Sequence, residues 1–377
     1  MDIRSRVVHG GEQPRDANGS VSVPIYATAT FAHPGVGEST GFDYSRIENP
    51  TRNHLERLIA DLEYGVDAVA CSTGMAALAC VGELFSPGDH IIHSDDLYGG
   101  SIRYFRTVMA KNGVAFDAVD TNDPKSLTAL IRPETKAIFV ETPTNPMMLV
   151  TDIAAVAQVA RERGLLVIVD NTFLSPYFQN PLRLGANIVI HSGTKYLGGH
   201  NDSLAGYVVV DSQDLAERVR AVFGSIGYAL GPFDAWLQIR GIKTLALRME
   251  TSQSNAITIA GWLRGQSRVR AVHYVGLADH PSIDVTRRQS RGFGSMLSFE
   301  VDSEATAVAI LNRVQLIQYA ESLGGVESLI TYPYTQTHAD VPEDERRARG
   351  INERLLRLSV GIEAAADLIA DLQQALA

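Results

Sequence analysis

The chain has 377 residues, 45% of them hydrophobic and 20% charged, with a formal net charge of -10. This is globular composition with length for a large core, and its acidity excludes nucleic acid as a main partner, because phosphate backbones need a basic surface. The two cysteines, Cys71 and Cys80, supply neither a disulfide framework nor a metal-ligand set, and no apolar run is long enough for a membrane-spanning helix. The first residues, Met1-Asp2-Ile3-Arg4-Ser5-Arg6, show no apolar signal core, so the expected location is cytoplasmic.

Residues 1–45 carry Gly, Pro, Ser and Thr with little periodicity. They read as an extended, irregular arm, and lying across a partner subunit would explain so long a lead. From 46 to 240, helical patterns alternate with short apolar runs. Asn53 to Tyr64 is amphipathic and helical, Ala68 to Ser72 reads as a strand, and a helix begins near Gly74. Further strands are expected at His90–His93, Ala115–Val119, Ala137–Val140, Leu165–Val169, Asn187–Ile190 and Gly206–Val210. Continuous Val/Ile/Leu runs between helices mean strands buried on both faces, hence an α/β unit with a mostly parallel, seven-stranded sheet. From 241 to 377 the pattern changes. A long helical stretch, Leu245–Leu263, precedes Ser295–Glu300, which alternates like a half-exposed strand. A helix at Glu304–Arg313, a strand at Leu356–Val360 and a final amphipathic helix at Ala364–Leu376 complete a smaller α+β domain with an antiparallel sheet.

Ligands of parallel sheets sit beyond the carboxyl ends of the strands, so the polar residues there carry the functional signal. After Ile188-Val189-Ile190 come His191-Ser192-Gly193-Thr194-Lys195-Tyr196. A lysine placed there is costly to bury unless it is paired or does chemistry, and with its charge disfavoured it can form a Schiff base. Ser192 and Thr194 flank it with hydroxyls suited to a phosphate, and together they suggest pyridoxal phosphate on Lys195. After the first strand, Ser72-Thr73-Gly74-Met75 opens a helix whose N-terminus can bind phosphate or simply be capped. Asp170 follows Val167-Ile168-Val169 and stands 25 residues before Lys195, a gap that one helix and two loops fill. It either caps the next helix or faces a pyridine nitrogen, making the ring an electron sink. Two prolines flank the loop that aims Asn145, and Tyr98 beside Gly99 and Gly100 can lie flat on a ring. Arg357 lies within an apolar strand, where a guanidinium wants either an internal ion pair or a substrate carboxylate.

The motifs Tyr44-Ser45-Arg46, Asp170-Asn171-Thr172, Ser192-Gly193-Thr194-Lys195-Tyr196 and Glu321-Ser322-Leu323-Gly324-Gly325 resemble those of the transsulfuration enzymes, the pyridoxal-phosphate-dependent family of Cys/Met metabolism. The resemblance runs nearly the whole length and is nearest to cystathionine γ-lyases and bacterial cystathionine β-lyases. It implies a fold type I, aspartate aminotransferase-like large domain. It also implies that Lys195 holds the cofactor and shuttles protons. Asp170 would pair with the pyridine nitrogen, Gly74, Met75, Ser192 and Thr194 would hold the phosphate, and Tyr98 would stack on the ring and assist the leaving group. Asn145, Ser322 and Arg357 would position the substrate carboxylate. Tyr44 and Arg46 would reach the phosphate of a neighbouring subunit within a homotetramer, a dimer of active dimers.

Gly100 stands where methionine γ-lyases carry a cysteine, which argues against that activity. Glu321 resembles the glutamate of γ-lyases and γ-synthases that could hold the distal amine of cystathionine, and many bacterial β-lyases share it. The segment Thr335-Gln336-Thr337-His338-Ala339-Asp340 departs from the Met-Thr-His pattern usual in γ-lyases. The preferred reading is γ-elimination of L-cystathionine, with β-elimination or the γ-synthase reaction as alternatives. A dehydrogenase would show Gly-x-Gly-x-x-Gly after the first strand, which Ser72-Thr73-Gly74-Met75-Ala76-Ala77 lacks.

Overall fold

In the computed structural model, which describes residues 1–11, 18–337, 339 and 341–377, the apolar runs form the expected strands. These are β1 (Asp67–Cys71), β2 (His90–Ser94), β3 (Ala115–Val119), β4 (Thr135–Glu141), β5 (Leu166–Asp170), β6 (Ile188–Ser192) and β7 (Gly206–Val210). They make one seven-stranded sheet in the order β1-β7-β6-β5-β4-β2-β3. β7 is antiparallel to both neighbours, and every other pairing is parallel. Alternate residues leave opposite faces of each strand. Ile168, Ile188 and Ile190 join Leu78 and Phe105 on one side, while Val167 and Val169 join Val156 and Ala160 on the other. Both faces are therefore covered, as continuous apolar strands require. Cys71 and Cys80 are wholly buried among these side chains and behave as small hydrophobes.

The chain then runs through the helix Leu245–Arg264 into a second sheet. Its strands are β8 (Val269–His273), β9 (Met296–Val301), β10 (Gln318–Tyr319), β11 (Leu329–Thr331) and β12 (Leu355–Ser359), in the order β10-β11-β12-β9-β8. All pairings are antiparallel except β10 with β11. Leu297, Phe299, Val301, Leu356 and Leu358 face the helices Glu304–Arg313 and Ala365–Leu376. The opposite face is not solvated, which corrects the expectation of a half-exposed strand at Ser295–Glu300. Met296 packs with Met148, Phe173 and Leu174, and the Ser298 hydroxyl donates to the Pro146 carbonyl at 2.8 Å. The alternation is present, but both of its phases find protein.

The irregular arm also needs correcting. Ile3–His9 is a helix, α1, capped by the Asp2 side chain on the Arg4 N–H. Val7 is buried against α2 (Pro50–Glu63), and Arg6 pairs with Asp61 at 3.0 Å. Ile3 packs on the same cluster and Arg4 pairs with Glu250 at 2.7 Å, so a few contacts with distant segments dock this helix, too little periodicity to stand out in sequence. Residues 18–48 are mostly exposed and irregular, joined by an isolated pairing of Thr30 with Tyr44. Residues 12–17 of the arm lie outside the described residues.

Candidate active site

The carboxyl ends of β4, β5 and β6 open into a cavity of about 240 Å³. Lys195 follows β6 by three residues and lines that cavity. Its Nζ donates to the Ser322 hydroxyl at 2.7 Å. Burial first and the Arg357 charge second lower its pKa to about 8, against the opposing charge of Glu321. An amine held near neutrality can act as nucleophile or base near pH 7.

The same shift links to stability. Between pH 8 and 10.5 the unfolded chain holds a proton on this amine that the folded chain lacks. Stability of the cofactor-free protein therefore rises with pH across that window, by about 3 kcal/mol from this group. Urea unfolding of the wild type and of Lys195→Met should show the wild type gaining on the variant as pH rises through that range. An unchanged difference would contradict the shift.

Asp170 ends β5, beside β6, and lines the same cavity. Its Oδ1 accepts the Thr172 N–H at 3.0 Å, and burial pushes its pKa up. The Thr172 hydroxyl accepts the Ser192 N–H at 2.9 Å, tying the two strand ends together. Opposite them begins α3 (Gly74–Gly82), whose cap Thr73 accepts from the Ala76 N–H. The N–H groups of Gly74 and Met75 precede that first satisfied donor, leaving the helix start able to bind an anion. A Cβ on Gly74 would lie 2.9 Å from the Ser192 Cβ, so only glycine lets the two sides of this cradle approach.

Arg357, on β12, is 2% exposed and faces the large sheet on the Ser298 side of the second sheet. It donates to Asn145 Oδ1 at 3.0 Å, the Ser322 carbonyl at 3.0 Å and the Thr331 hydroxyl at 3.1 Å. These partners are neutral, no ion pair to it occurs among the described residues, and its Nε has no hydrogen-bond partner. Burial lowers its pKa to about 10. Of the two sequence readings, the internal ion pair is thus not what the structure contains. A buried guanidinium held by neutral groups is a receptor for an incoming anion. Ser322, which touches both Lys195 and Arg357, has φ 90. Serine seldom adopts that region, and such strain concentrates at functional sites.

Tyr98 precedes α4 (Gly99–Tyr104), and its ring stands over Gly100, where a Cβ would come within 2.4 Å of the ring. Any side chain at 100 would force the phenol to move. Glu321 is exposed and also lines the cavity. Tyr44 and Arg46 do not. Tyr44 is 47% exposed, and Arg46 donates to the Gly224 carbonyl while standing 5.6 Å from the Tyr44 ring. The structure therefore brings together all the sequence candidates except this pair. Thr337 of the atypical segment lines the cavity and Gln336 accepts the Tyr332 N–H, while His338 and Asp340 lie outside the described residues. Sequence reasoning missed Glu141 and Thr172, which also line the cavity. The signal for Glu141 was available, since it ends a buried strand just as Asp170 does.

A family model described as Cys/Met metabolism PLP-dependent enzyme matches residues 4–377. A protein of Bacillus subtilis (strain 168) named cystathionine gamma-lyase is 47% identical over 376 residues, spanning 100% of this chain and 99% of its own. A Lactococcus lactis subsp. cremoris (strain MG1363) protein named cystathionine beta-lyase is 47% identical over 374 residues, spanning 99% and 98%. A second B. subtilis protein, named cystathionine gamma-synthase/O-acetylhomoserine (thiol)-lyase, is 49% identical over 374 residues, spanning 99% and 96%. Among solved structures, cystathionine gamma-lyase from Lactobacillus plantarum complexed with L-serine superposes with a TM-score of 0.97 at 44% identity, covering 100% of this chain and 98% of that one.

Proposed function

Because the chain belongs to the Cys/Met metabolism family of pyridoxal-phosphate-dependent enzymes, we propose that it is a carbon–sulfur lyase that cleaves L-cystathionine by γ-elimination. With water consumed, the products are cysteine, 2-oxobutanoate and ammonia. The observation that carries the substrate is the pair of opposite charges in one cavity. Arg357 offers a buried guanidinium without an acidic partner, and Glu321 offers a carboxylate that lines the same space. An amino acid with a second, distal ammonium group complements both.

The residues fit the cofactor. The start of α3 at Gly74 and Met75, with Ser192 and Thr194, would hold the phosphate. Asp170 would face the pyridine nitrogen, Tyr98 would cover the ring, and Lys195 would carry the group covalently. Tyr44 and Arg46 of a neighbouring copy would complete the phosphate site in a homotetramer, which accounts for their distance from the cavity of their own chain. Bound pyridoxal phosphate supplies an electron sink for charge developing at the substrate's Cα.

The remaining roles belong to side chains. Arg357 and Asn145 grip the α-carboxylate, and Ser322 steadies the Lys195 amine. Lys195 removes the Cα proton, and for γ-elimination it also moves a Cβ proton before the Cγ–S bond breaks. The Tyr98 hydroxyl serves the departing sulfur. The second reading is β-elimination to homocysteine, pyruvate and ammonia, favoured by the equal identity to the Lactococcus β-lyase. Product analysis with L-cystathionine separates the two. 2-Oxobutanoate with cysteine supports the proposal, and pyruvate with homocysteine overturns it. Cystathionine formed from an O-acylhomoserine and cysteine, with neither cleavage, assigns the synthase reaction instead.

A further inference from the structure

We propose that Glu141 is a positioning residue for the reaction, fixing the Tyr98 end of α4 to the carboxyl edge of the sheet so that the phenol stands over the cavity beside Asp170. This rests on the pyridoxal phosphate site described above, and is independent of which C–S bond breaks. Glu141 ends β4 and pairs in register with Asp170 at the end of β5. Both residues line the cavity. Glu141 is 5% exposed, and its Oε2 accepts the Tyr98 N–H at 2.8 Å. Tyr98 is the first residue before α4, and no side chain of its own caps that helix. It is 41% exposed, and its ring stands against Gly100, which offers no side chain to hold it. The bond from its N–H to a rigid strand end therefore sets where the residue stands.

The charge balance supports this role. Two carboxyl groups side by side in a dry site do not both ionise. Burial pushes the Glu141 carboxyl well above the usual range, and its neighbours Asp170 and Asp96 push it the same way. Burial raises Asp170 as well, so the dry strand ends favour a neutral carboxyl, and a neutral Glu141 still accepts the Tyr98 N–H through an oxygen. A glutamine reproduces that shape, neutrality and acceptor. A leucine reproduces only the volume.

The experiment compares Glu141→Gln, Glu141→Leu, Tyr98→Ala and the Tyr98→Ala/Glu141→Leu double variant. Cofactor affinity is read by titrating each apo-protein with pyridoxal phosphate and following its quenching of intrinsic fluorescence. Turnover and KM are read on the loaded enzymes. Glu141→Gln should keep affinity and kcat within about threefold of wild type, whereas Glu141→Leu should lose about tenfold in each with little change in KM. On the Tyr98→Ala background, Glu141→Leu should cost nothing further. The proposal is overturned if glutamine fails as badly as leucine, if leucine behaves as wild type, or if the two losses add in full in the double variant. Should Glu141→Leu not fold, hydrogen exchange at the Tyr98 amide decides. Slow exchange in wild type and Glu141→Gln supports the bond, and fast exchange in either removes it. None of these readouts depends on the identity of the cleavage products.

Discussion

Replacing Lys195 by alanine is expected to lower turnover by about 10⁴-fold or more while leaving the fold intact. The magnitude follows from removing a covalent anchor and a proton carrier in one step. The fold should survive because the amine is a burden to the folded chain. It is buried, its charge is disfavoured, and the Ser322 hydroxyl is its hydrogen-bond partner. Losing it leaves a hydroxyl that water in the cavity can satisfy. Wild-type protein should be yellow with bound cofactor and should be fixed covalently by borohydride, whereas Lys195→Ala should release the cofactor on denaturation after the same treatment. Mass spectrometry of the two denatured chains reads this directly. Turnover within tenfold of wild type, or a folded wild type that takes up no cofactor, would contradict the role.

Arg357→Leu should raise KM by about 10²- to 10³-fold, because a fully buried charge that meets a carboxylate is worth several kcal/mol to binding. Three neutral acceptors hold the guanidinium in place, so its orientation does not have to be organised by the substrate. Arg357→Lys keeps the charge but loses the fork, and its smaller head cannot reach all three acceptors. An intermediate loss of about tenfold is expected. The sharper check uses a substrate analogue whose α-carboxylate is replaced by a carboxamide. Wild type should discriminate strongly against it, and Arg357→Leu should not. Equal binding of both compounds by wild type would assign the arginine to another task.

Much of this arrangement is legible in the amino-acid sequence. The Val/Ile/Leu runs from Ile91 to Val210 identified a sheet buried on both faces, since no other context makes such strands continuous. The separation of Asp170 from Lys195 foretold neighbouring strand ends, which β5 and β6 supply. Arg357 stood out because a guanidinium inside an apolar strand demands a reason. What stayed hidden depends on contacts between distant segments. Glu141 shares with Asp170 the visible signal of ending a buried strand, but its partner, the Tyr98 N–H 43 residues earlier, is not visible in sequence. The docking of α1 uses Ile3 and Val7 against the core and ion pairs to Asp61 and Glu250 of other helices. Periodicity showed that β9 has two kinds of face but could not show that the polar phase closes on Pro146. The bond that breaks is equally hidden, because Lys195 and Asp170 serve both eliminations.

The closure of β9 on both sides bears on how the molecule melts. Met148, Phe173 and Tyr196, from loops of the large sheet, share one apolar cluster with Val275, Met296 and Leu323 from the second-sheet segment. Met249 of the connecting helix sits in that cluster as well. Neither sheet can lose its packing without exposing part of the other's, so the two should collapse together in a single cooperative heat-absorption peak. A truncation such as Met296→Ala would then lower the melting temperature of the whole chain, the parallel sheet included, and not of its own half alone.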